Sequence, residues 1–459
     1  MPGHDGSATT AHVMDAGPLP RGPKGHFLLG SLSDLQRDQL GFYAACARQY
    51  GDLVPVRLGA RSAILIYHPD VIEHVLVTRS RDFHKSPGVR LLRPVLGDGL
   101  LLSEDDFWLR QRRLVQPAFH RQRIAASGDV MTTYTTLRLA QWKEGDALDC
   151  HAEMMALTQA IVAKTLFDAD VADDAHAVGD ALQILMEDFG KRIGSLLQIL
   201  PIWVPTPANL RARRAVHRLE RIVDRIIAAR RRTTEDRGDL LSILLHARDA
   251  GDGARMTDRQ VRDEVMTLFI AGHETTAVAL SWTWYLLARH PDIDARLAAE
   301  LQTVLGGRVP TAADLPRLRY AEMVVMEAMR LYPPAYGLGR QVARPTEVAG
   351  YPFEPGVIVI IPTWVVHRDP RWFTEPDVFR PERWGEDATR QLPRFAYFPF
   401  GGGPRQCIGN GFAMMEAVLL LATIAQRFRL ALVPGQRVVP TPYVTLRPEP
   451  GLRMLLEHR

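Results

Sequence analysis

The sequence predicts a mainly α-helical fold with small β-sheets. Three observations carry this. Helical periodicity prevails from Ala152 to Arg232, broken only near Pro201, Pro205 and Pro207. A second helical run opens on the capping-box spacing Thr257-Asp258-Arg259-Gln260 and continues to Pro291. Strand-like runs are short and scattered, and no internal repeat or low-complexity linker divides the chain.

In chain order, the first 20 residues are small and polar, and are expected to form a disordered segment before a single domain over 21–459. Leu53–Leu58 and Ser62–Tyr67 flank Gly59-Ala60-Arg61 and read as a hairpin. Asp70–Leu76 reads as a short helix after Pro69. Ser86–Leu102, rich in Gly and Pro, reads as a long loop. Asp105–Phe119 reads as a helix carrying Trp108, Arg110, Arg112 and Arg113. The run from Thr257 to His290 amounts to roughly 33 residues, or about 50 Å at 1.5 Å per residue, enough to cross a whole domain. Helices at Asp292–Leu305 and Arg319–Tyr332 follow, then strand-like runs at Gly339–Val348 and Val357–Pro362. Phe412–Phe428 is apolar nearly all round and reads as a buried helix. Leu196–Trp203 is unusually apolar for a connection, and is either packed, at a substrate entrance or against a membrane surface.

Composition bounds the function. Hydrophobic content of 46% and charged content of 24% are those of a soluble globular protein. A net charge of +4 over 459 residues makes no case for nucleic acid. No apolar run approaches 18 residues, so neither a transmembrane anchor nor a signal peptide is expected. The three cysteines, Cys46, Cys150 and Cys407, are far apart and form no CxxC pair. That argues against a disulfide framework or a zinc site and fits a reducing cytoplasm.

The chemistry centres on Phe400–Gly409, reading Phe-Gly-Gly-Gly-Pro-Arg-Gln-Cys-Ile-Gly. Glycine lets backbone N–H groups approach a ligand closely. The loop is expected to aim several of them at Cys407, favouring the thiolate, with Arg405 and the following helix dipole adding positive potential. A thiolate with one open side suits haem iron. A core cysteine beside a glycine turn is the plainer alternative. A phosphate loop is excluded, because no Lys-Ser or Lys-Thr follows the glycines.

The long helix carries Ala271-Gly272-His273-Glu274-Thr275-Thr276. Gly272 opens room beside the backbone, and Thr275 is spaced to bond the Ala271 carbonyl. That makes a notch flanked by a hydroxyl and a carboxylate, although polar residues on a solvent face give the same pattern. Glu327 and Arg330 are three apart on one helical face, as an exposed pair also would be.

Together these segments resemble the cytochrome P450 family. The pattern around Cys407 is similar to its haem-binding loop, Ala271-Gly272-His273-Glu274-Thr275 to its oxygen-activation motif, and Glu327-x-x-Arg330 with Arg383 to its buried scaffold. The resemblance implies a triangular helical fold with a long central helix across a buried haem b. It implies a monooxygenase that inserts one atom of O2 into an apolar organic substrate, of fatty acid, terpenoid, steroid or polyketide class. Cys407 becomes the axial ligand. Glu274 and Thr275 relay protons. Trp108, Arg112, Arg340 and Arg405 hold the haem propionates. The implied pocket takes Phe269, Ala271, Ala335, Tyr336, Leu338, Tyr443 and Val444, with parts of Ser86–Leu102 and Leu185–Leu200. His273 is a structural neighbour.

Only about 50 residues follow Cys407, so no fused reductase is expected. Electrons are then expected from a separate ferredoxin or flavodoxin with its NAD(P)H reductase, docking near Arg110 and Arg113. The expected state is a cytoplasmic monomer. Family members that are peroxygenases, isomerases or dehydratases, and a haem-binding sensor or carrier, are the alternatives.

Overall fold

A computed structural model of the chain describes residues 20–168, 175–192, 203–232, 237, 239–247, 253, 255–385 and 390–459. The expected disordered segment at 1–20 lies outside these residues except for Pro20, as does most of the apolar connection at 196–203.

Seven helices and seven strands position the site. The helices are α1 (Asp105–Val115), α2 (Cys150–Phe167), α3 (Ala175–Arg192), α4 (Pro207–Arg231), α5 (Asp258–Arg289), α6 (Arg319–Leu331) and α7 (Asn410–Ala425). The strands are β1 (Leu53–Leu58), β2 (Arg61–Ile66), β3 (Phe83–Lys85), β4 (Leu338–Val342), β5 (Ile358–Ile361), β6 (Val439–Pro442) and β7 (Leu446–Glu449).

The 32-residue α5 is the axis of the helical part. Its start is specified locally: the Thr257 hydroxyl accepts from the Gln260 N–H, and the Gln260 side chain accepts from the Thr257 N–H at 2.7 Å. Pro291 forces the next helix to begin after His290. Between its ends α5 is buried on nearly every face, including Trp282 and Trp284. The Trp282 indole stacks on Tyr332 at 4.0 Å and donates to the Leu446 carbonyl. α2 and α7 pack along it.

The hairpin at Gly59-Ala60 forms as expected and enters a five-stranded sheet of order β1-β2-β5-β4-β3. Only the β2–β5 pair is parallel. The β3–β4 pairing sets Lys85 directly opposite Arg340.

Two elements differ from expectation. Ser86–Leu102 contains helical turns at Pro87–Arg90 and Arg93–Leu96, where proline's fixed φ favours a first helical turn. The last helix ends at Ala425, and Phe428 begins a strand instead of closing the helix.

Candidate active site

The loop before α7 is held by close backbone packing. Gly403 has φ +69°, and a Cβ there would collide with the Leu76 carbonyl. Gly401 also has positive φ. The Cys407 N–H closes the loop onto the Phe400 carbonyl at 3.0 Å. The Cys407 side chain opens into a cavity while protein packs closely around it.

Its electrostatics correct one expectation. Burial pushes the thiol above its ordinary value, and only the Gly409 N–H and the Arg112 charge pull it down. The cation acting on it is thus Arg112, which donates to the Gln406 carbonyl at 2.8 Å. Arg405 instead pairs with Glu104, donates to the Ser103 carbonyl and lies over the Trp108 ring at 4.5 Å. The protein alone keeps Cys407 a thiol; coordination to a metal deprotonates such a group outright.

Beneath this loop lies a dense polar scaffold. Glu327 and Arg330 are fully buried and joined by two bonds of 2.8 and 2.9 Å. Arg383, the Trp384 indole and the Arg380 N–H also donate to Glu327, each at 3.0 Å. Arg330 donates onward to the His367 carbonyl, and the Phe398 N–H donates to Nε2 of His367. The pair therefore reaches the cysteine loop through His367. Neither His367 nor Trp384 stood out in the sequence, since a single His or Trp carries no spacing signal.

The cavity measures about 2380 Å³, more than twice the largest usual ligand pocket of about 1,000 Å³. Trp108, Arg112, Arg340 and Arg405 all line it, and so does Lys85, which sequence reasoning missed. Like charges directly across a strand pair repel. Lys85 and Arg340 are nonetheless buried in that relation, with Arg405 nearby and Glu104 the one anion acting on all three. Burial followed by this repulsion holds Lys85 well below its ordinary value and Arg340 down to about 10. The cluster is short of negative charge. A ligand with two carboxylates, lying between the cluster and Cys407, answers that deficit, and haem fits.

On α5, the Thr275 hydroxyl donates to the Ala271 carbonyl at 2.9 Å, as expected, and both residues line the cavity. Gly272 is explained differently. A Cβ there would sit 3.1 Å from a Val162 methyl, so its smallness serves packing against α2. Glu274 also differs. It accepts two bonds from Arg447, at 2.6 and 2.8 Å, and one from Thr445. Burial pushes its carboxyl up, but Arg447 and the hydrogen bonds outweigh that and hold it down to about 2. It is an ionised anchor for the β6–β7 hairpin and carries no proton near neutrality. His273 is buried against Phe269, a structural neighbour as expected.

Ala271, Ala335, Tyr336, Leu338, Tyr443 and Val444 line the cavity, with much of 86–101 and parts of 185–192. Phe269 does not: it is buried against Phe167 and His273. Helical residues advance about 100° each, so Phe269 and Ala271 point to opposed faces.

Comparisons with known proteins agree with this geometry. Residues 20–455 match the family model described as Cytochrome P450. The chain is 41% identical to cyclooctatin synthase of Streptomyces melanosporofaciens, over 98% of this chain and 96% of that protein. It is 39% identical to cyclooctat-9-en-7-ol 5-monooxygenase of the same organism, over 89% and 88%. Pentalenene oxygenase of Streptomyces avermitilis is 34% identical over 98% of each chain. The crystal structure of the cytochrome P450DA heme domain superposes with a TM-score of 0.86 at 28% identity, covering 97% of this chain and 99% of that one. This chain thus belongs to the cytochrome P450 family of monooxygenases, whose cofactor is haem b.

Proposed function

We propose that the chain oxygenates an uncharged terpenoid. The observation that carries this is the cavity wall. Apolar side chains such as Leu92, Leu96, Leu185, Phe189 and Val444 dominate it. Among the other lining arginines, Asp188 holds Arg192, Glu274 holds Arg447, Asp34 holds Arg37 and Asp98 holds Arg93, while Arg90 donates to Gln341 and Arg61 is exposed to solvent. No arginine beside the apolar wall of Leu185, Phe189 and Val444 is left to anchor the carboxylate of a free fatty acid. The names of the relatives, cyclooctat-9-en-7-ol 5-monooxygenase and pentalenene oxygenase, support a terpenoid.

In this reading Cys407 would hold the haem iron, and Lys85, Arg112, Arg340, Arg405 and Trp108 would meet the propionates. Haem bound through a thiolate supplies O2 binding and O–O cleavage. The chain's own residues exclude bulk water, orient the substrate and hold a hydroxyl at Thr275 beside the reacting oxygen. Glu274 keeps the hairpin in place. Electrons come from a separate ferredoxin or flavodoxin with its NAD(P)H reductase. Exposed Arg113 and half-buried Arg110 on α1 favour an acidic partner there. We take the working state to be a cytoplasmic monomer; no described helix is long and apolar enough to cross a membrane.

The test is a spectral titration of the ferric protein with cyclic terpenes, terpene alcohols and fatty acids of equal carbon number. Terpenoids should shift the spin state at micromolar concentration. A response to fatty acids alone overturns the substrate reading. Thr275→Ala tests the notch: haem content and affinity stay, while product per NADPH falls and peroxide rises. Undiminished coupling removes Thr275 from oxygen activation.

A further inference from the structure

Four glutamates are fully or nearly fully buried among the described residues. Arg447 holds Glu274 and Arg330 holds Glu327, while Glu416 on α7 has no hydrogen-bond partner among those residues. Glu264 on α5 is the fourth, and its bonds come from neutral donors. One carboxyl oxygen accepts from the Gln111 side-chain amide at 2.9 Å, the other from the Leu100 N–H at 3.1 Å. The same stretch of α5 grips the backbone just before Leu100. Asp263 accepts from the Asp98 N–H at 2.9 Å, and Thr267 donates to the Leu96 carbonyl at 3.4 Å. A Cβ at Gly99 would lie 2.6 Å from the Asp263 carbonyl, so only glycine lets the segment come this close to the helix. Leu96, Leu100 and Leu101 then form part of the cavity wall.

Gln111 is matched to both protonation states of this acid. Its Nε2 donates to the carboxylate, while its Oε1 is buried with no hydrogen-bond partner among the described residues. A protonated Glu264 would turn an O–H against that N–H; rotating the amide presents Oε1 to it instead. Protonation also weakens the hold on Leu100, because bonds to an ionised acceptor are roughly twice as strong as neutral ones. Burial pushes Glu264 up to about 7, opposed by the Leu100 and Gln111 bonds and assisted by the Asp263 charge. The other charged groups nearby are engaged elsewhere or face solvent. On α5, Asp258 holds Arg231, Arg262 holds Asp224 of α4, and Arg259 lies 4.0 Å from Asp263. On α4, Arg230 holds Asp239, Glu220 meets His217, and Arg221 and Arg225 are exposed. On α2, Lys164 holds Asp168, Glu153 holds Arg138 and His151 meets Ser281. His246 on Leu240–His246 bonds to the Ser242 carbonyl, and Arg93 on Arg93–Leu96 holds Asp98. On α1, Asp105 meets His84 and Arg112 donates to Gln406, while Asp106, Arg110 and Arg113 do not act on Glu264.

We propose that Glu264 is a positioning residue for the substrate wall, a latch that holds the segment at 96–101 when ionised and loosens it when protonated, with Gln111 turning its amide to follow. Substrate and proton then compete. A substrate packed on Leu100 and Leu101 favours the ionised latch, so the carboxyl O–H breaks and one proton passes to solvent as the substrate binds. No electron is transferred. The inference rests on the cavity as the substrate site and is independent of the substrate's class.

The test is a spin-state titration of the ferric holoenzyme at pH 6 and pH 8 with two uncharged probes, a cyclic terpene alcohol and a neutral steroid. Apparent affinity scales with the fraction of competent protein, so a latch titrating near 7 makes Kd about tenfold larger at pH 6 than at pH 8. Glu264→Gln fixes the neutral form: its Kd should match the wild-type value at pH 6 and stay there at pH 8. Gln111→Leu removes a donor to the carboxylate and should move the step to higher pH. Asp263→Asn removes a repelling charge and should move it lower. A merely structural role would not produce these opposed shifts. Without any probe, difference infrared spectra should show a protonated-carboxyl band that titrates near pH 7 and is missing in Glu264→Gln. A missing band, equal wild-type affinities at pH 6 and pH 8, or an unchanged step in Glu264→Gln overturns the proposal. If the steroid binds with the step and the terpene alcohol does not bind, the latch stands and only the terpenoid reading fails. If the terpene alcohol binds without a step, only the latch fails; if neither probe binds, the latch falls with the cavity reading.

Discussion

Beneath Cys407 and across the cavity from it, the protein treats buried charge in opposite ways. Glu327 receives bonds from Arg330, Arg383, Trp384 and the Arg380 backbone, and Arg330 reaches three further carbonyls. On the far side Glu274 rests mainly on one arginine, and Glu416 on no hydrogen-bond partner among the described residues. A fully satisfied network fixes geometry. A sparse one leaves groups whose protonation state can change. The difference teaches where the fold is a support and where it is a reactive surface.

The largest expected effect is on the supported side. Cys407→Ala should lose the thiolate CO spectrum and most of the haem. Retention of that spectrum hands the ligand role to Cys46 or Cys150. Arg330→Ala comes next. It leaves Glu327 buried without its main partner, and breaking such a pair costs about 3–5 kcal/mol, a large part of a domain's net stability. Soluble, haem-replete Arg330→Ala protein would erase the contrast.

Glu274→Gln should cost less, about 1–3 kcal/mol, as it keeps shape and Thr445 but strands Arg447. Its pH signature has a definite sign. The folded carboxyl is depressed to about 2 from an ordinary 4.5, so its contribution is present above 4.5 and fades as pH falls toward 2. Acid denaturation of Glu274→Gln should lack that slope; an identical slope puts the charge elsewhere. The smallest effect belongs to Gly272→Ala. Helix propensity gains about 1 kcal/mol, and crowding against Val162 costs about 1–3 kcal/mol. A net loss of about 1 kcal/mol is expected in a denaturant melt, relieved by Val162→Ala in the same chain.

Part of the supported side was legible in the sequence, where its signals are local. Glu327 and Arg330 are one helical turn apart, Thr257 and Gln260 announce α5, and the glycines before Cys407 mark the loop. What stayed hidden depends on distant pairing. Arg447 lies 173 residues from Glu274. Its hairpin carries Pro440, Pro442 and Pro448 and shows no clean alternation, so nothing nearby marks it as a strand. Lys85 gains meaning only when β3 sets it against Arg340. Glu416 is the one charged residue in an apolar helix, a pattern that speaks of burial and is silent about what faces it. Phe269 is another matter, since helical geometry alone separates it from Ala271.

The hairpin between β6 and β7 has a practical consequence for redesign. Its tip presents Tyr443 and Val444 to the cavity. Its main-chain course is fixed from outside: Tyr336 donates to the Tyr443 carbonyl, Trp282 to the Leu446 carbonyl, and Arg447 clasps Glu274. None of these ties uses the side chains at 443 or 444. The tip is an interchangeable tool head on a fixed mount. Substituting those two positions should retune which carbon of a substrate is presented, while the backbone path and the haem site stay as they are.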